Sequence, residues 1–555
     1  MSTASPASQK IRSVLDRAGL IVEEYARLIL ALVLLIVFLF SLGYAADAYF
    51  WYDEFIIVHT AMLPSWRAIW TFYAHGLDTV GPISALVVYA ALKLPFGPEL
   101  DGRLPSIFAL FVLLGSTYLF VRRRYPAGYA LAALVLLFAW PLAPLAWTAK
   151  GYMLEFGSIG FAMLCWQSAL YRRYRPWSVV GIWFGLAVAI SAHVFAGFVL
   201  VAFAGAQAVR DRSRKSIDWP VWIALLSFPF VLLPTLPGNR LAAKVYAGTF
   251  WAQPSLARLG DAYAKFFDVN QRYVACVVIW LAISILFLGS RSPREATSER
   301  SQGFSAPEWV LVVLLTFLPC YALIGSYPLH VYRDVYVDSF IIGFSITTMA
   351  LLAEQARRSA AGGAVLFALM FMAFLLTARR IPAGARVLLH PYSAHTNLQM
   401  AYQQQPWVQQ IEHSDLPVVA GDHFVYTELE FYGTPDLKKR LFYLTDISEI
   451  KEYSQSTTAQ LNFLNFGKAL SYNTEDISNF LPTNPHFLMV LGTDRAMWLP
   501  QFLLHEEREG RARLTLVGPE YVDHPIYDTA FRQMPPFAGI RSVAAAIQTP
   551  SSRNP

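Results

Sequence analysis

The amino-acid sequence predicts a polytopic α-helical membrane protein of about 11–12 spans, followed by a C-terminal extracytoplasmic α/β domain. Three observations support this prediction. Hydrophobic residues make up 55% of the 555 residues and charged residues only 15%, and the mean hydropathy is +0.40. Uncharged runs long enough to cross a bilayer recur from residue 28 to residue 377, with basic clusters in alternate loops. Beyond them, short apolar runs alternate with helical patterns.

The N-terminal segment, residues 1–27, is predicted to remain in the cytoplasm. It carries four basic residues and precedes the uncharged run 28–46. Both the basic segment and the apolar run are longer than the matching parts of a secretory signal peptide. We therefore expect an uncleaved first span at the start of a transmembrane domain that covers residues 28–380.

Ten uncharged stretches mark the spans. The stretch 176–209 is too long for one crossing and is expected to break into two near Ser191, Ala192 and His193, which raises the count to eleven. The apolar segment 79–92 is short for a full crossing, so it is expected to be half-inserted or part of a tilted helix. The ten stretches are 28–46, 104–121, 125–149, 156–171, 176–209, 219–238, 273–290, 309–329, 339–353 and 359–377.

The basic clusters orient these spans. With the N-terminus in the cytoplasm, every cluster faces the cytoplasm, as the positive-inside rule requires, provided that 79–92 does not cross completely. The C-terminus then lies outside, where Arg379, Arg380 and the basic loop 239–272 are exceptions to the rule. The net charge of +6 therefore reflects membrane orientation, and no nucleic-acid partner is predicted. The clusters are 122–124, 172–175, 210–215, 291–300 and 357–358.

Residues 381–555 are predicted to form a separate periplasmic domain. Apolar runs such as LPVVAG (416–421), HFLMVLG (486–492), RLFYLTD and RARLTLVG are typical of short strands, and helical patterns such as 497–509 separate them. This alternation predicts an α/β domain with a largely parallel sheet. The three cysteines all lie within apolar runs upstream, so this domain must fold by core packing alone. No catalytic motif appears in it, and a structural or acceptor-docking role is the simpler interpretation.

An acid pair, Asp53 and Glu54, follows the first span directly among three aromatic residues. Taken alone, the pair is typical of a span end whose acids face water. Other polar residues are expected on the same outer face, because they lie in the loop after the first span or beside the ends of later spans. They are His75, Arg103, Lys150, Tyr152 and Glu155.

This pattern resembles the GT-C membrane glycosyltransferases. An acid pair after the first span, a short apolar segment with proline, and Arg103-Leu104-Pro105-Ser106 before a span carry the resemblance. Within this superfamily, the sequence resembles the protein O-mannosyltransferases and the lipid A aminoarabinose transferases. Gly81-Pro82-Ile83 stands where the family often has His-Pro-Pro-Leu, and Ala149-Lys150-Gly151-Tyr152 resembles its Ala-Arg-Pro-Tyr. The resemblance covers residues 28–380.

The resemblance implies an integral membrane glycosyltransferase of the cell inner membrane and envelope. Such an enzyme moves a sugar from a polyprenyl-phosphate carrier to a hydroxyl acceptor on the outer side, with inversion. Asp53 would be the base that takes the acceptor proton. Glu54 would orient the acceptor or, with His75, help to hold a divalent cation. The sugar, the acceptor (lipid, glycan or protein) and the need for a metal stay open.

The departing lipid phosphate needs cations in a partly dry site. Arg103 and Lys150 are candidates, although each is also typical of an interfacial anchor. In the segment YPLHVYRDVYVDSF (327–340), Arg333 matches the family's late outer Arg-Tyr pair, although it could instead form a surface pair with Asp334. His193 is interpreted as a hydrogen-bonded turn residue. The expected substrate-binding residues are Tyr152, Glu155, His330, Tyr332 and Tyr336.

Two other functional classes stay open. One is a transporter or flippase for lipid-linked sugars, although the sequence shows no convincing internal repeat and its charges avoid the span centres. The other is a non-catalytic envelope assembly protein that uses its tail to dock partners. Sugar transfer by the purified protein would separate the enzyme from both.

Overall fold

The computed structural model describes residues 6–74, 81–138, 142–169, 175–238, 240, 253–288, 303–446, 450, 453, 463, 467, 469–492, 497–517 and 524–535. The chain divides into two compact units, residues 1–398 (the membrane unit) and 399–555 (the C-terminal unit). The division lies beyond the predicted boundary at residue 380. The reason is that helix Ile381–Leu389 packs against the first spanning helix, Ala26–Asp47.

The described part of the membrane unit is helical. Its helices are α1 (Pro6–Glu24), α2 (Ala26–Asp47), α3 (Tyr52–Ala61), α4 (Trp66–Ala74), α5 (Pro82–Ala91), α6 (Pro98–Arg122), α7 (Ala127–Leu137), α8 (Leu142–Leu145), α9 (Tyr152–Ser168), α10 (Arg175–Ala192), α11 (Val199–Arg214), α12 (Trp219–Ser227), α13 (Leu256–Val269), α14 (Gln271–Ile283), α15 (Ala306–Thr316), α16 (Leu318–Ser326), α17 (Phe340–Gln355), α18 (Ala360–Leu375), α19 (Ile381–Leu389) and α20 (Ala394–Gln403). Short 3-10 turns cover Val194–Phe198, Phe228–Thr235, Tyr327–Leu329, Asp334–Val337 and Pro391–Ser393, and a π-helical turn covers Ser284–Leu288.

Within the described ranges, five helical segments are long and apolar enough to cross a membrane, or seven if each of two bent helix pairs counts as one span. The sequence predicted eleven. The difference arises because several uncharged runs fold into shorter helices: the run 125–149, for example, is divided between α7 and α8. One finer prediction is confirmed: the run 176–209 breaks at His193. Within the segment 79–92, residues Pro82–Ala91 form the ten-residue helix α5.

Apolar packing holds the membrane unit together. One continuous buried cluster joins residues from α2, α6, α7, α9, α10, α11, α14, α15, α17 and α18. The helix pairs α6–α9 and α9–α10 pack closely along the chain. Because α6 begins near Arg103 and α9 begins at Tyr152, this packing brings the two predicted motif segments to the same end of the unit.

The chain bends between α15 and α16, shortly before the segment 327–339. The two helices meet at 56°, since Pro319 lacks the N–H that would continue the helical ladder. Tyrosine hydroxyls bind carbonyl groups at the bend: Tyr263 donates to Thr316 O at 3.0 Å and Tyr332 donates to Pro319 O at 3.4 Å. Tyr332 thereby ties the loop after α16 to the bend.

A buried carboxylate organises the opposite end of α6. Glu308, in the first turn of α15, accepts hydrogen bonds from Arg124 Nε at 3.0 Å and Gln167 Nε2 at 2.7 Å. Its other oxygen accepts from the backbone N–H and the hydroxyl of Ser305, which completes a capping box. The basic cluster at 122–124 thus binds the buried Glu308 through Arg124, in addition to following the positive-inside rule.

The C-terminal unit contains a six-stranded mixed sheet. Its strands are β1 (Val418–Ala420), β2 (Leu441–Thr445), β3 (Thr474–Asp476), β4 (His486–Val490), β5 (Ala512–Leu516) and β6 (Ile526–Phe531). The order is β3-β2-β1-β4-β6-β5, parallel from β3 to β4 and antiparallel from β4 to β5. The described helices of this unit are α21 (Pro406–Glu412), α22 (His423–Tyr432), α23 (Pro435–Lys439), α24 (Ile477–Thr483) and α25 (Trp498–Arg508). The four apolar runs singled out as strands are β1, β2, β4 and β5, so the α/β prediction is confirmed.

Glu428, on α22, gives this unit a pH-dependent stability. Burial, and after it the charge of Asp422, raise the pKa of its carboxyl from 4.5 to about 7, although a hydrogen bond from Tyr402 opposes the shift. Between these pH values the folded unit holds a proton that the unfolded chain has released. The free energy of unfolding therefore falls as the pH rises through this window, and the loss is complete above it.

We predict that Glu428→Gln removes this loss, which is on the order of 3 kcal/mol. The measurement is hydrogen exchange of the β1 amides in the full-length protein, corrected for the intrinsic rate, from about pH 5 to about pH 8. Protection should decline with pH in the wild type and stay level in the variant. An equal decline in both proteins would contradict the prediction.

Candidate active site

The acid pair opens helix α3. Asp53 and Glu54 lie in its first turn, where negative charge favours the helix N-terminus. The Glu54 side chain folds back and accepts the backbone N–H of Trp51 at 3.2 Å. The Asp53 and Glu54 carboxylates point in different directions and have different partners.

Glu54 forms a buried two-point ion pair with Arg103. Arg103 Nε lies 2.9 Å from Glu54 Oε1, and a terminal guanidinium nitrogen lies 2.9 Å from Oε2. Both side chains are only 2% exposed. The remaining Arg103 donors bind the carbonyl oxygens of Ala45 at 2.7 Å, Ala48 at 2.6 Å and Tyr49 at 3.0 Å. The guanidinium therefore joins the end of α2 to the start of α3.

This geometry gives Arg103 and Glu54 a structural role beside the roles predicted for them. All five N–H donors of Arg103 are engaged within the chain, so Arg103 would bind a donor phosphate only by giving up one of these bonds. Glu54 accepts a further hydrogen bond from the Ala149 backbone N–H at 2.7 Å, so both of its oxygens have partners. The pair connects the segments that carry Asp53 and Lys150.

Asp53 faces the other way and pairs with Lys150. Asp53 Oδ2 lies 3.3 Å from Lys150 Nζ, and the side chains are 17% and 8% exposed, respectively. Lys150 follows directly on Ala149, which is bound to Glu54. Ser106 fixes the same stretch, because its hydroxyl donates to the Thr148 carbonyl at 2.6 Å and to that of Lys150 at 3.2 Å.

Tyr336 lies within electrostatic range of three predicted site residues. Burial raises the pKa of the Tyr336 hydroxyl, and the neighbouring Tyr152 raises it further; the Lys150 and Arg333 charges lower it, and the Asp53 charge raises it. The charges of Asp53, Lys150 and Arg333, from distant parts of the sequence, therefore all act on the Tyr336 hydroxyl.

An aromatic wall lies beside these charges. The His193 ring centre is 4.5 Å from that of Tyr336 and 5.5 Å from that of Tyr152, and Phe195 lies 5.1 Å from Tyr336. Lys150 Nζ lies 5.6 Å from the centre of the Tyr152 ring. Of the residues predicted to bind substrate, Tyr152 and Tyr336 thus form part of this wall.

A cavity of about 710 Å³ shares one wall with the segment that carries Lys150. Trp147 lines it and stacks on Tyr44 with ring centres 4.3 Å apart. The lining combines aromatic rings with a few polar groups, which suits a lipid chain with a polar end. The other lining residues are Phe40, Phe138, Pro144, Asp268, Asn270, Gln271, Arg272, Tyr273, Ala373, Phe374 and Thr377.

Comparison with known proteins identifies the fold. No family profile and no curated protein sequence matches the chain. Among solved structures, it is similar to ArnT from Cupriavidus metallidurans bound to undecaprenyl phosphate, with a TM-score of 0.51 and 14% sequence identity. The match covers 91% of this chain and 98% of that one. ArnT from the same organism in the apo state gives a TM-score of 0.50 at 13% identity, covering 91% and 97%.

The chain has a GT-C fold. The predicted resemblance to the GT-C superfamily is therefore confirmed at the level of fold, and the match spans both units. At 14% identity it carries the backbone arrangement alone, so the roles of individual side chains rest on the contacts described above.

Within this GT-C fold, the remaining predicted site residues have other surroundings. Tyr332 is fully buried in a cluster with Phe195, Ala322, Leu323 and Val337. His330 is exposed in a turn with a left-handed φ of 53°. His75 lies outside the described residues. Among the residues that are described, no three His, Cys, Asp or Glu side chains are arranged to hold a metal ion.

Two further residues of the site gave little signal in the sequence. His193 was interpreted as a turn residue, but its ring packs on Tyr336 and its Nδ1 lies 3.8 Å from Glu155 Oε2. Gly81 lies where the start of α5 touches the end of α10. A Cβ at Gly81 would come 1.6 Å from the Ser191 carbonyl oxygen. These contacts join residues more than 30 positions apart, which local patterns do not reveal.

Proposed function

We propose that this protein is an integral membrane glycosyltransferase that moves a sugar from a polyprenyl-phosphate carrier to a hydroxyl acceptor, with inversion. The observation that carries the proposal is the ion pair between a partly accessible carboxylate, Asp53, and Lys150 in a GT-C fold; the Arg333 charge acts on Tyr336 in the same region. The similar ArnT was solved with undecaprenyl phosphate. The charge pattern supports an inner-membrane location with a cytoplasmic N-terminus and an extracytoplasmic C-terminal unit.

In the proposed reaction, Asp53 accepts the proton of the acceptor hydroxyl as its oxygen bonds to the anomeric carbon. The bond from that carbon to the phosphate oxygen breaks at the same time. The electron pair stays with the carrier, which leaves as a polyprenyl phosphate. Attack opposite the leaving group inverts the configuration, and a single base is sufficient for it.

The cations stabilise the leaving phosphate. The Lys150 and Arg333 charges both act on the Tyr336 hydroxyl, and Lys150 is buried enough for its charge to act through little water. The Lys150 ammonium both positions the base and stabilises the leaving group. It pairs with Asp53 and is available to a phosphate oxygen from the other side. The aromatic cavity at Trp147 and Tyr44 suits the isoprenoid chain of the carrier.

Lys150→Met is predicted to raise the KM for the donor about 10–100-fold and to lower kcat as well. Initial rates against donor concentration measure both effects. The matched control is Lys93→Met, because Lys93 also lies over a tyrosine ring, with Nζ 4.3 Å from Tyr89, but is exposed. Comparable losses in the two variants would show that the effect does not come from the site.

The direct test uses the purified protein in lipid vesicles. Radiolabelled prenyl-phosphate sugars are supplied with an envelope extract, and the label is followed into lipid, glycan and protein fractions. Transfer to any fraction supports the proposal and identifies the acceptor class. Movement of the labelled lipid across the vesicle, driven by ATP or an ion gradient without transfer, would favour a flippase instead.

A further inference from the structure

A group of buried polar atoms beside the Tyr152–Tyr336 wall has no protein partner. The atoms are Ser84 Oγ, both carboxylate oxygens of Glu155 and Nδ1 of His193, and none forms a hydrogen bond with any residue that the structure describes. Glu155 is 0% exposed and the His193 side chain 6%. Their separation of 3.8 Å is too long for a hydrogen bond.

Three helices bring these groups together. Ser84 lies in α5, Glu155 in α9, and His193 directly after α10. Gly151 permits the contact, since a Cβ there would come 2.3 Å from Ser84 Oγ and 3.0 Å from the Ala192 carbonyl oxygen. From Gly151, one helical turn leads to Glu155, whose N–H donates to the Gly151 carbonyl at 2.9 Å.

The two oxygens of Glu155 contrast with those of two other buried carboxylates, Glu54 and Glu308. Glu54 accepts from Arg103, Ala149 and Trp51, and Glu308 accepts from Arg124, Gln167 and Ser305. A buried carboxylate without such bonds destabilises the fold; the nearby Asp338 carboxyl increases that cost, and the Ser339 hydroxyl offsets part of it. Asp101, Asp218 and Asp422 each leave one buried oxygen without a hydrogen bond to the described residues, whereas Glu155 leaves both, as expected of an acid that binds a partner from outside the chain.

The chemistry of the group identifies that partner. Carboxylate oxygens accept hydrogen bonds, while a serine hydroxyl and an imidazole nitrogen each donate or accept. Hydroxyl groups on a small ring offer donors and acceptors on neighbouring carbons and so match this set. The wall formed by Tyr152 and Tyr336 leads from the group to Lys150, where the phosphate of the donor is placed.

We propose that Glu155, His193 and Ser84 form the subsite that receives the ring hydroxyls of the transferred sugar and selects among sugars. The proposal rests on the proposed glycosyl transfer and goes beyond it, because it says which residues recognise the sugar. The Glu155 carboxylate accepts a hydrogen bond from one ring hydroxyl, and His193 and Ser84 bind the hydroxyl on the neighbouring carbon. The anomeric carbon then points toward Asp53.

The test pairs deletions in the protein with deletions in the sugar. Prenyl-phosphoryl mannose, glucose, galactose and arabinose are supplied with an envelope extract, followed by the monodeoxy analogues of each sugar that is transferred. In the wild type, one analogue should be transferred about 10–100-fold less efficiently than its parent in kcat/KM. In Glu155→Ala and His193→Ala, parent and analogue should be transferred with equal efficiency, because the side chain that binds the hydroxyl is absent.

A purely structural role for Glu155 would lower both rates and leave their ratio unchanged. Ser41→Ala is the control, since its Oγ is also buried without a partner among the described residues but lies in α2, and it should keep the wild-type ratio. An undiminished ratio in Glu155→Ala, or equal transfer of every analogue by the wild type, overturns the inference alone. Absence of transfer from all parent sugars overturns the glycosyltransferase proposal, and the inference with it.

Discussion

Asp53→Asn is expected to lower the rate of sugar transfer by about 10³-fold while the protein still folds and binds its carrier. Asparagine keeps the shape of the side chain but cannot take the proton of the acceptor hydroxyl. Asp53 is also the carboxylate of the acid pair that remains accessible, because Glu54 is closed off by Arg103. Initial transfer rates and donor binding, measured on the same preparations, separate chemistry from affinity.

Asp47→Asn provides the comparison for this variant. Asp47 lies six residues earlier and also forms an ion pair, 3.1 Å from Arg380, but its side chain is 41% exposed. We expect wild-type transfer from it. Near-normal transfer by Asp53→Asn in the purified assay would remove Asp53 from the mechanism, whatever the rate of the Asp47 variant.

Arg103→Ala is expected to reduce the free energy of unfolding by about 3–5 kcal/mol, because it leaves the buried Glu54 charge without its partner. Three backbone carbonyls at the end of α2 lose a donor at the same time. Since Arg103 orders the segments that carry Asp53 and Lys150, transfer should fall as well. Thermal or denaturant unfolding in detergent, followed by tryptophan fluorescence, measures the stability.

Two further variants decide between a structural and a substrate-binding role. Arg380→Ala breaks an ion pair whose side chains are 47% and 41% exposed, so it should cost at most about 1 kcal/mol. Arg103→Lys keeps the charge but cannot supply five donors in a planar fork, so it should destabilise nearly as much as alanine. If Arg103→Ala unfolds like Arg380→Ala and instead loses donor affinity, the phosphate role first predicted for Arg103 is correct.

The sequence predicts the periodic features of this fold well. Hydropathy located the break at His193 and the short helix α5, and short apolar runs located four of the six strands. These features follow from local composition, which decides whether a segment is buried. The number of full-length spans was less predictable, because a helix can end inside an uncharged run, as α7 does at Leu137.

The partners within the site depend on tertiary packing, and the sequence left them open. Nothing local distinguishes Asp53 from Glu54, yet one lies against Lys150 and the other against Arg103, 49 residues away. Arg103 and Lys150 both seemed suited to phosphate, and only the engaged donors of Arg103 separate them. His193 and Glu155 are isolated polar residues in apolar runs, and their proximity appears only once α9 and α10 pack.

The Arg103–Glu54 pair also affects how many substitutions the surrounding sequence tolerates. Its described outward hydrogen bonds go to the main chain, to the carbonyls at 45, 48 and 49 and the amides at 51 and 149. Substitutions at those five positions leave the bonding groups in place, provided that the backbone path survives. An anchor of this kind tolerates wide divergence around it, which is consistent with a shared architecture at only 14% identity.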